Sequence, residues 1–111
     1  MREQKAIRYL SLAAKAGALV TGGDEVEKAL RRGRGGLLVM ACDAGGAALR
    51  RAERLAERPG VGLAVSLYSK SEIAAAVGRG SSVAFALVTD RGLASAFTEA
   101  AAIGSEQEEQ V

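Results

Sequence analysis

Leu37-Leu38-Val39-Met40-Ala41-Cys42 is apolar at every position. A strand with one wet face alternates apolar and polar residues, so a run without alternation belongs to a strand covered on both faces. Val83-Ala84-Phe85-Ala86-Leu87-Val88-Thr89 repeats the pattern. Two such strands require helices on both sides of one sheet, and the flanking segments supply them.

Upstream, Ile7, Leu10, Ala13, Ala14 and Gly17 recur at helical spacing opposite Arg2, Lys5, Arg8 and Lys15, which predicts a first helix from Glu3 to Ala16 stopped by Gly17. Ala18-Leu19-Val20-Thr21 fits a short strand. A second helix follows from about Asp24 to Arg32, ended by Gly33, Gly35 and Gly36, with Arg31, Arg32 and Arg34 at the end where the helix dipole favours cations. Downstream, Asp43 is expected to cap a third helix opened by Ala44-Gly45-Gly46, in which Leu49, Ala52, Leu55 and Ala56 face the core. Pro59-Gly60 stops it. Val61 to Leu67 reads as a strand with Val61, Leu63, Val65 and Leu67 on one side. Ser69-Lys70-Ser71-Glu72 is a capping box before a fourth helix with Ile73, Ala76 and Val77 inward and Gly78 at its end. Asp90-Arg91-Gly92 turns into a last helix carrying Leu93, Ala94, Phe97, Ala100 and Ala101.

The alternation predicts a three-layer α/β/α sandwich with four strands and five helices, occupying residues 1–103 as one domain. Most strand pairs are expected to be parallel, with a mixed sheet open and the strand order unassigned. Residues 104–111 are expected to form an acidic, frayed tail. Three of the thirteen acids, Glu106, Glu108 and Glu109, lie there, so the body is more basic than the net charge of +2 indicates. Such an excess favours nucleic acid as a partner.

No apolar run approaches the roughly 20 residues of a membrane span, and the charged start Met1-Arg2-Glu3-Gln4-Lys5 is unlike a signal peptide, so a cytoplasmic protein without membrane contact is expected. The chain has no histidine, and its one cysteine, Cys42, is expected to be buried as a small hydrophobe. The usual Ser/His and Cys/His nucleophiles cannot be assembled, nor can a cysteine cluster hold zinc, so neither catalysis nor a metal or other cofactor is expected. Arg50, Arg51, Arg54 and Arg58 are interleaved with Glu53 and Glu57 at pairing distance, which reads as a solvated helix face, with a second phosphate-facing surface as the alternative. With only two Tyr and two Phe there is no aromatic platform for single-stranded bases.

Thr21-Gly22-Gly23-Asp24-Glu25-Val26-Glu27-Lys28 places two glycines and an acidic capping residue before the second helix. Without Cβ atoms at 22 and 23 a phosphate backbone can approach the main chain, and the unpaired N–H groups of the first turn point at it. A turn with an ordinary N-cap is the alternative. Asp24, Glu25 and Lys28 lie on one side, with Val26, Ala29 and Leu30 inward.

These stretches, taken in order, resemble the ribosomal protein family of L-seven-Ae and L-thirty-e. The resemblance rests on Thr21 to Ala29, Leu37 to Asp43 and Ser69 to Gly78, runs from Ala6 to about Ala101, and is strongest to the bacterial YlxQ-type members. It implies a mixed four-stranded sheet and RNA binding, in the best-known members to kink-turns with tandem sheared G·A pairs. The family's Gly-x-Asn-Glu-x-x-Lys pattern falls on Gly22 to Lys28, with Gly22, Glu25 and Lys28 matching and Asp24 in place of the Asn. A carboxylate only accepts where an amide also donates. Lys28 is the expected donor to guanine O6 and N7, and Glu25 an acceptor from a base N–H. The loop after Gly78, apolar in strong kink-turn binders, is here Arg79-Gly80-Ser81-Ser82, for which phosphate or groove contact by Arg79 is expected. The candidate RNA-binding set is therefore Gly22, Gly23, Asp24, Glu25, Lys28, Arg32, Arg79 and Ser81. Structured RNA, ribosomal or other non-coding, and the ribosome are the implied partners. A protein-interaction factor of the same fold is the alternative, and a nucleotide held at Gly22-Gly23 a third.

Overall fold

A computed structural model describes the backbone of residues 2–109 and the side chains of residues 5–101. The expectation for the tail at 104–111 lies outside the described side chains. In chain order the elements are α1 (Arg2–Lys15), β1 (Leu19–Thr21), α2 (Gly23–Arg31), β2 (Gly36–Met40), α3 (Gly46–Leu55), β3 (Val61–Val65), α4 (Lys70–Val77), β4 (Phe85–Val88) and α5 (Arg91–Glu109). The expected five helices and four strands are all present.

The sheet order is β1-β4-β2-β3, so the two fully apolar runs are its middle strands. Period-two geometry divides each run between two cores. Val39, Ala86 and Val88 pack with Leu10, Ala13, Ile73, Val77 and Phe97 of α1, α4 and α5. Leu38, Met40, Phe85 and Leu87 pack with Val26, Leu30, Ala52 and Leu55 of α2 and α3. This is the α/β/α sandwich, with α1, α4 and α5 on one face and α2 and α3 on the other.

The expectation of mostly parallel pairing does not hold. Only β2 and β3 are parallel, and β4 is antiparallel to both its neighbours. Met40 is the register partner of both Val65 and Phe85. The chain thus leaves β3 and enters β4 at the same end of the sheet, because α4 returns it to the end it left, whereas α3 carries it across.

Four local expectations are corrected. Leu49, Val65 and Leu67 are exposed, at 37%, 63% and 60%, because β3 is an edge strand whose far end α3 does not cover. Ser66 is buried instead, its hydroxyl donating to the Met40 carbonyl at 2.6 Å. Cys42 is exposed rather than buried, since β2 ends at Met40 and Cys42 stands in the turn beyond it. In α4 it is Ala74, with Ile73 and Val77, that faces the core, while Ala76 is half-buried. Asp43 does not cap α3, whose N-cap is Gly45; its carboxylate accepts from the Lys70 N–H at 2.8 Å and caps α4. The Ser69–Glu72 capping box is formed in both directions, and Gly78 closes α4 in the left-handed conformation.

Candidate nucleic-acid interface

The C-terminal ends of β1 and β2 and the start of β4 share one end of the sheet, which is where α2 begins. Gly22 is its N-cap, with φ 89° and ψ 131°, a conformation in which only glycine is comfortable. Glycine carries no side-chain oxygen, and no side chain caps the helix. Asp24, the expected cap, lies instead inside the first turn, where its carboxylate is 3.0 Å from Arg51 Nη2 of α3. The first N–H groups of α2 therefore have no capping acceptor and face outward with the helix dipole behind them.

Thr21, Gly22 and Gly23 line a cleft of about 220 Å3 whose other wall is Arg79, Ser82, Val83, Ala84 and Phe85. The fold thus brings together three members of the predicted set, Gly22, Gly23 and Arg79, from two loops 57 residues apart in sequence. Ser81 is exposed on the same loop but does not line the cleft; Ser82 does. Glu25, in the first turn, and Lys28, one turn on, are both more than half exposed and 3.6 Å apart. An exposed pair of this kind contributes only about 0–1 kcal/mol, so Lys28 is free to turn to another acceptor. Arg32 is not part of this surface. It is the C-cap of α2, about 13 Å from the helix start by the rise of nine residues.

Sequence reasoning missed Arg51. Rather than joining a solvated Arg/Glu face, its guanidinium reaches across to α2, 3.0 Å from Asp24 and 3.5 Å from Glu27, and lies where a Cβ on Gly23 would be. The hydrogen bond to Asp24, helped by the Asp24 and Glu27 charges, raises the Arg51 pKa above its ordinary value. Glu27 is held below the usual carboxylate range, first by its hydrogen bond and charge contact with Arg31 and then by Arg51. Only the three-dimensional packing of α3 on α2 reveals this cluster, because Asp24 and Arg51 are 27 positions apart.

Among the described residues no group of His, Cys, Asp and Glu is arranged to hold a metal ion, and no helix is long and apolar enough to cross a membrane. The exposed Cys42 thiol has the Leu67 carbonyl at 3.6 Å as its neighbour and no base beside it.

No curated protein sequence matches the chain. Among solved structures, a protein of unknown function from Bacillus halodurans superposes with a TM-score of 0.71 at 25% identity, covering 86% of this chain and 95% of that one. A 15.5 kD RNA binding protein of Giardia lamblia superposes with a TM-score of 0.69 at 18% identity, covering 91% and 85%. The model of the ribosomal protein L7Ae/L30e/S12e/Gadd45 family matches residues 4–98. With that match spanning most of its length, and with the mixed sheet in place, the chain belongs to the ribosomal protein L7Ae/L30e/S12e/Gadd45 family.

Proposed function

We propose that this protein binds structured RNA, without catalysis, through the N-terminus of α2 and the loop after Gly78. The observation that carries the reading is the cleft: an uncapped helix start at Gly22, where the space a Cβ would take is open, with Arg51 packed over Gly23 and Arg79 facing it from the other loop. Family membership and the fold shared with the Giardia lamblia RNA binding protein support it. In this reading a phosphate sits against Gly22, Gly23 and the first N–H groups of α2, and Arg79 neutralises it from the opposite wall. Glu25 and Lys28 then face the base edges, Lys28 donating to guanine O6 and N7. The kink-turn, with its opened groove and paired G·A steps, is the target this arrangement suits.

The test is a titration into a kink-turn RNA and into the same RNA with its G·A pairs replaced, at two salt concentrations. The parent should prefer the intact kink-turn, and Lys28→Ala should weaken binding by about 1–3 kcal/mol. A Lys28→Ala protein that binds structured RNA as well as the parent refutes the assignment.

The exposed Leu49, Val65 and Leu67 favour a second reading, a factor of the same fold that contacts protein. Partners that persist in a pull-down after nuclease treatment would support it.

A further inference from the structure

At the opposite end of the sheet, the connections after α2, after α3 and before α5 meet around an open groove of about 640 Å3, the larger counterpart of the cleft at Gly22. Its floor is main chain. The Gly60 carbonyl accepts from the Gly36 N–H at 3.1 Å and lies 2.8 Å from where a Cβ on Gly35 would be, so nothing larger than glycine fits at 35. Arg91 and the α5 residues Ser95 and Thr98 form one wall. A smaller pocket, lined by Arg34 and Arg58, adjoins the groove across Gly33 and Pro59.

The charges here are uncompensated. Among the described residues Arg32, Arg58 and Arg91 form no ion pair, and Arg34 has only the Thr89 hydroxyl, at 3.1 Å. Helix dipoles account for Arg32 and Arg58, which stand at the C-terminal ends of α2 and α3. They do not account for Arg91. It occupies the first position of α5, where the dipole disfavours a cation, yet no described carboxylate pairs with it. Glu99 is the one carboxylate lining either pocket. The Gly36 N–H and the Thr98 hydroxyl are spent on the Gly60 and Ala94 carbonyls, which leaves the arginines with the Ser95 and Thr89 hydroxyls, and that set matches a phosphodiester backbone, which calls for charge and O–H donors without base-specific shape.

We infer that this groove is a second, sequence-independent binding surface for the RNA backbone, reached by an arm of the same RNA that docks at α2. The inference rests on the RNA-binding reading, and α2, about 13 Å long, runs from the Gly22 cleft to the Gly33 edge of the groove. Arg32, the C-cap of α2, stands at this end of the helix but lines neither pocket.

The test compares the parent, Lys28→Ala and the double variant Arg58→Gln/Arg91→Gln, using a structured RNA whose arms exceed the molecule's 42 Å length. Both arginines are exposed and unpaired, so the double variant should fold like the parent. The slope of log K against log salt should fall in magnitude by about 1–2, at roughly 0.9 for each phosphate no longer neutralised, equally for intact and G·A-replaced RNA. Glu99→Gln should tighten binding. An unchanged slope and affinity in the double variant, with Lys28→Ala weakened, overturns the groove and leaves the α2 site standing. A reduced slope with Lys28→Ala neutral does the reverse. Loss of a nuclease-resistant protein partner without any change in slope overturns the groove in favour of a protein occupant.

Discussion

Replacing Gly22 by Ala isolates the backbone conformation on which the start of α2 depends. At φ 89° and ψ 131° the main chain is outside every region comfortable for a residue with a Cβ, while the space around that Cβ is open, with nothing within 4 Å. The cost is therefore conformational, not a collision, and amounts to about 1–3 kcal/mol. For a domain of this size that corresponds to a Tm lower by roughly 4–12 °C, at about 4 °C per kcal/mol. Urea unfolding is the assay. The midpoint should fall while the slope m stays constant, because the surface exposed on unfolding is unchanged. Gly80→Ala is the control, since Gly80 has no positive φ and open space around it, and should shift stability by less than about 0.5 kcal/mol. If the two variants unfold at the same urea concentration, α2 can begin without that conformation and the reasoning fails. RNA affinity should fall further than stability, because any relaxation at Gly22 moves Gly23 against Arg51 and reshapes the cleft wall.

Two other perturbations address the frame around the site. Asp43→Ala removes the acceptor for the Lys70 N–H but leaves the Ser69–Glu72 box, so urea unfolding should show a loss of about 0.5–2 kcal/mol, with faster amide exchange at the start of α4. Glu27→Gln should lower Tm near neutrality and not in acid: a carboxylate whose folded pKa is depressed stabilises above its ordinary 4.5, and that contribution is lost as pH falls through the folded value, so Tm curves for parent and variant that stay parallel into acid contradict the Arg31 and Arg51 contacts.

The central strands, the helices and the capping box are legible in the sequence because each is written in local spacing. Leu38 and Val39 alternate between two cores only because both faces of β2 are covered, and unbroken apolarity announces that. Strand direction is not legible. It depends on whether α4 crosses the sheet or returns, which no periodicity within Lys70–Val77 records. Exposure at Val65 and Leu67 escapes for a related reason: alternation marks a face, but only strand order shows that β3 is an edge. Of the candidate site, Gly22 and Gly23 are readable from the glycines before a helical pattern, and Arg79 from its place after Gly78. Arg32 joins them only by proximity in sequence, although a helix separates its two ends in space.

Asp24 and Arg51 bear on how the two surfaces divide the work of binding. The first turn of α2 carries two carboxylates, Asp24 and Glu25, each facing a cation, Arg51 at 3.0 Å and Lys28 at 3.6 Å. In the proposed mode a phosphate arriving at Gly22 and Gly23 would compete with the protein's own acids for the cations nearby. Asp24 is 89% exposed, so its pair is open to solvent and salt, while Glu27, 31% exposed and 3.5 Å away, is the second acid that holds Arg51. A carboxylate beside a guanidinium offers an acceptor and donors together, the hydrogen-bonding content of the amide that the family resemblance implies at position 24. Salt that weakens phosphate binding at this end also weakens the internal pairs that oppose it, and the two effects partly cancel. Among the described residues Glu99 is the one carboxylate lining the groove, and Asp90, beside Arg91 in sequence, is taken up by the Leu93 N–H. On the two proposals together, the steep part of the salt dependence is expected to follow Arg58 and Arg91 and discrimination between RNAs to follow Glu25 and Lys28, so substitutions at the two ends of α2 should separate them.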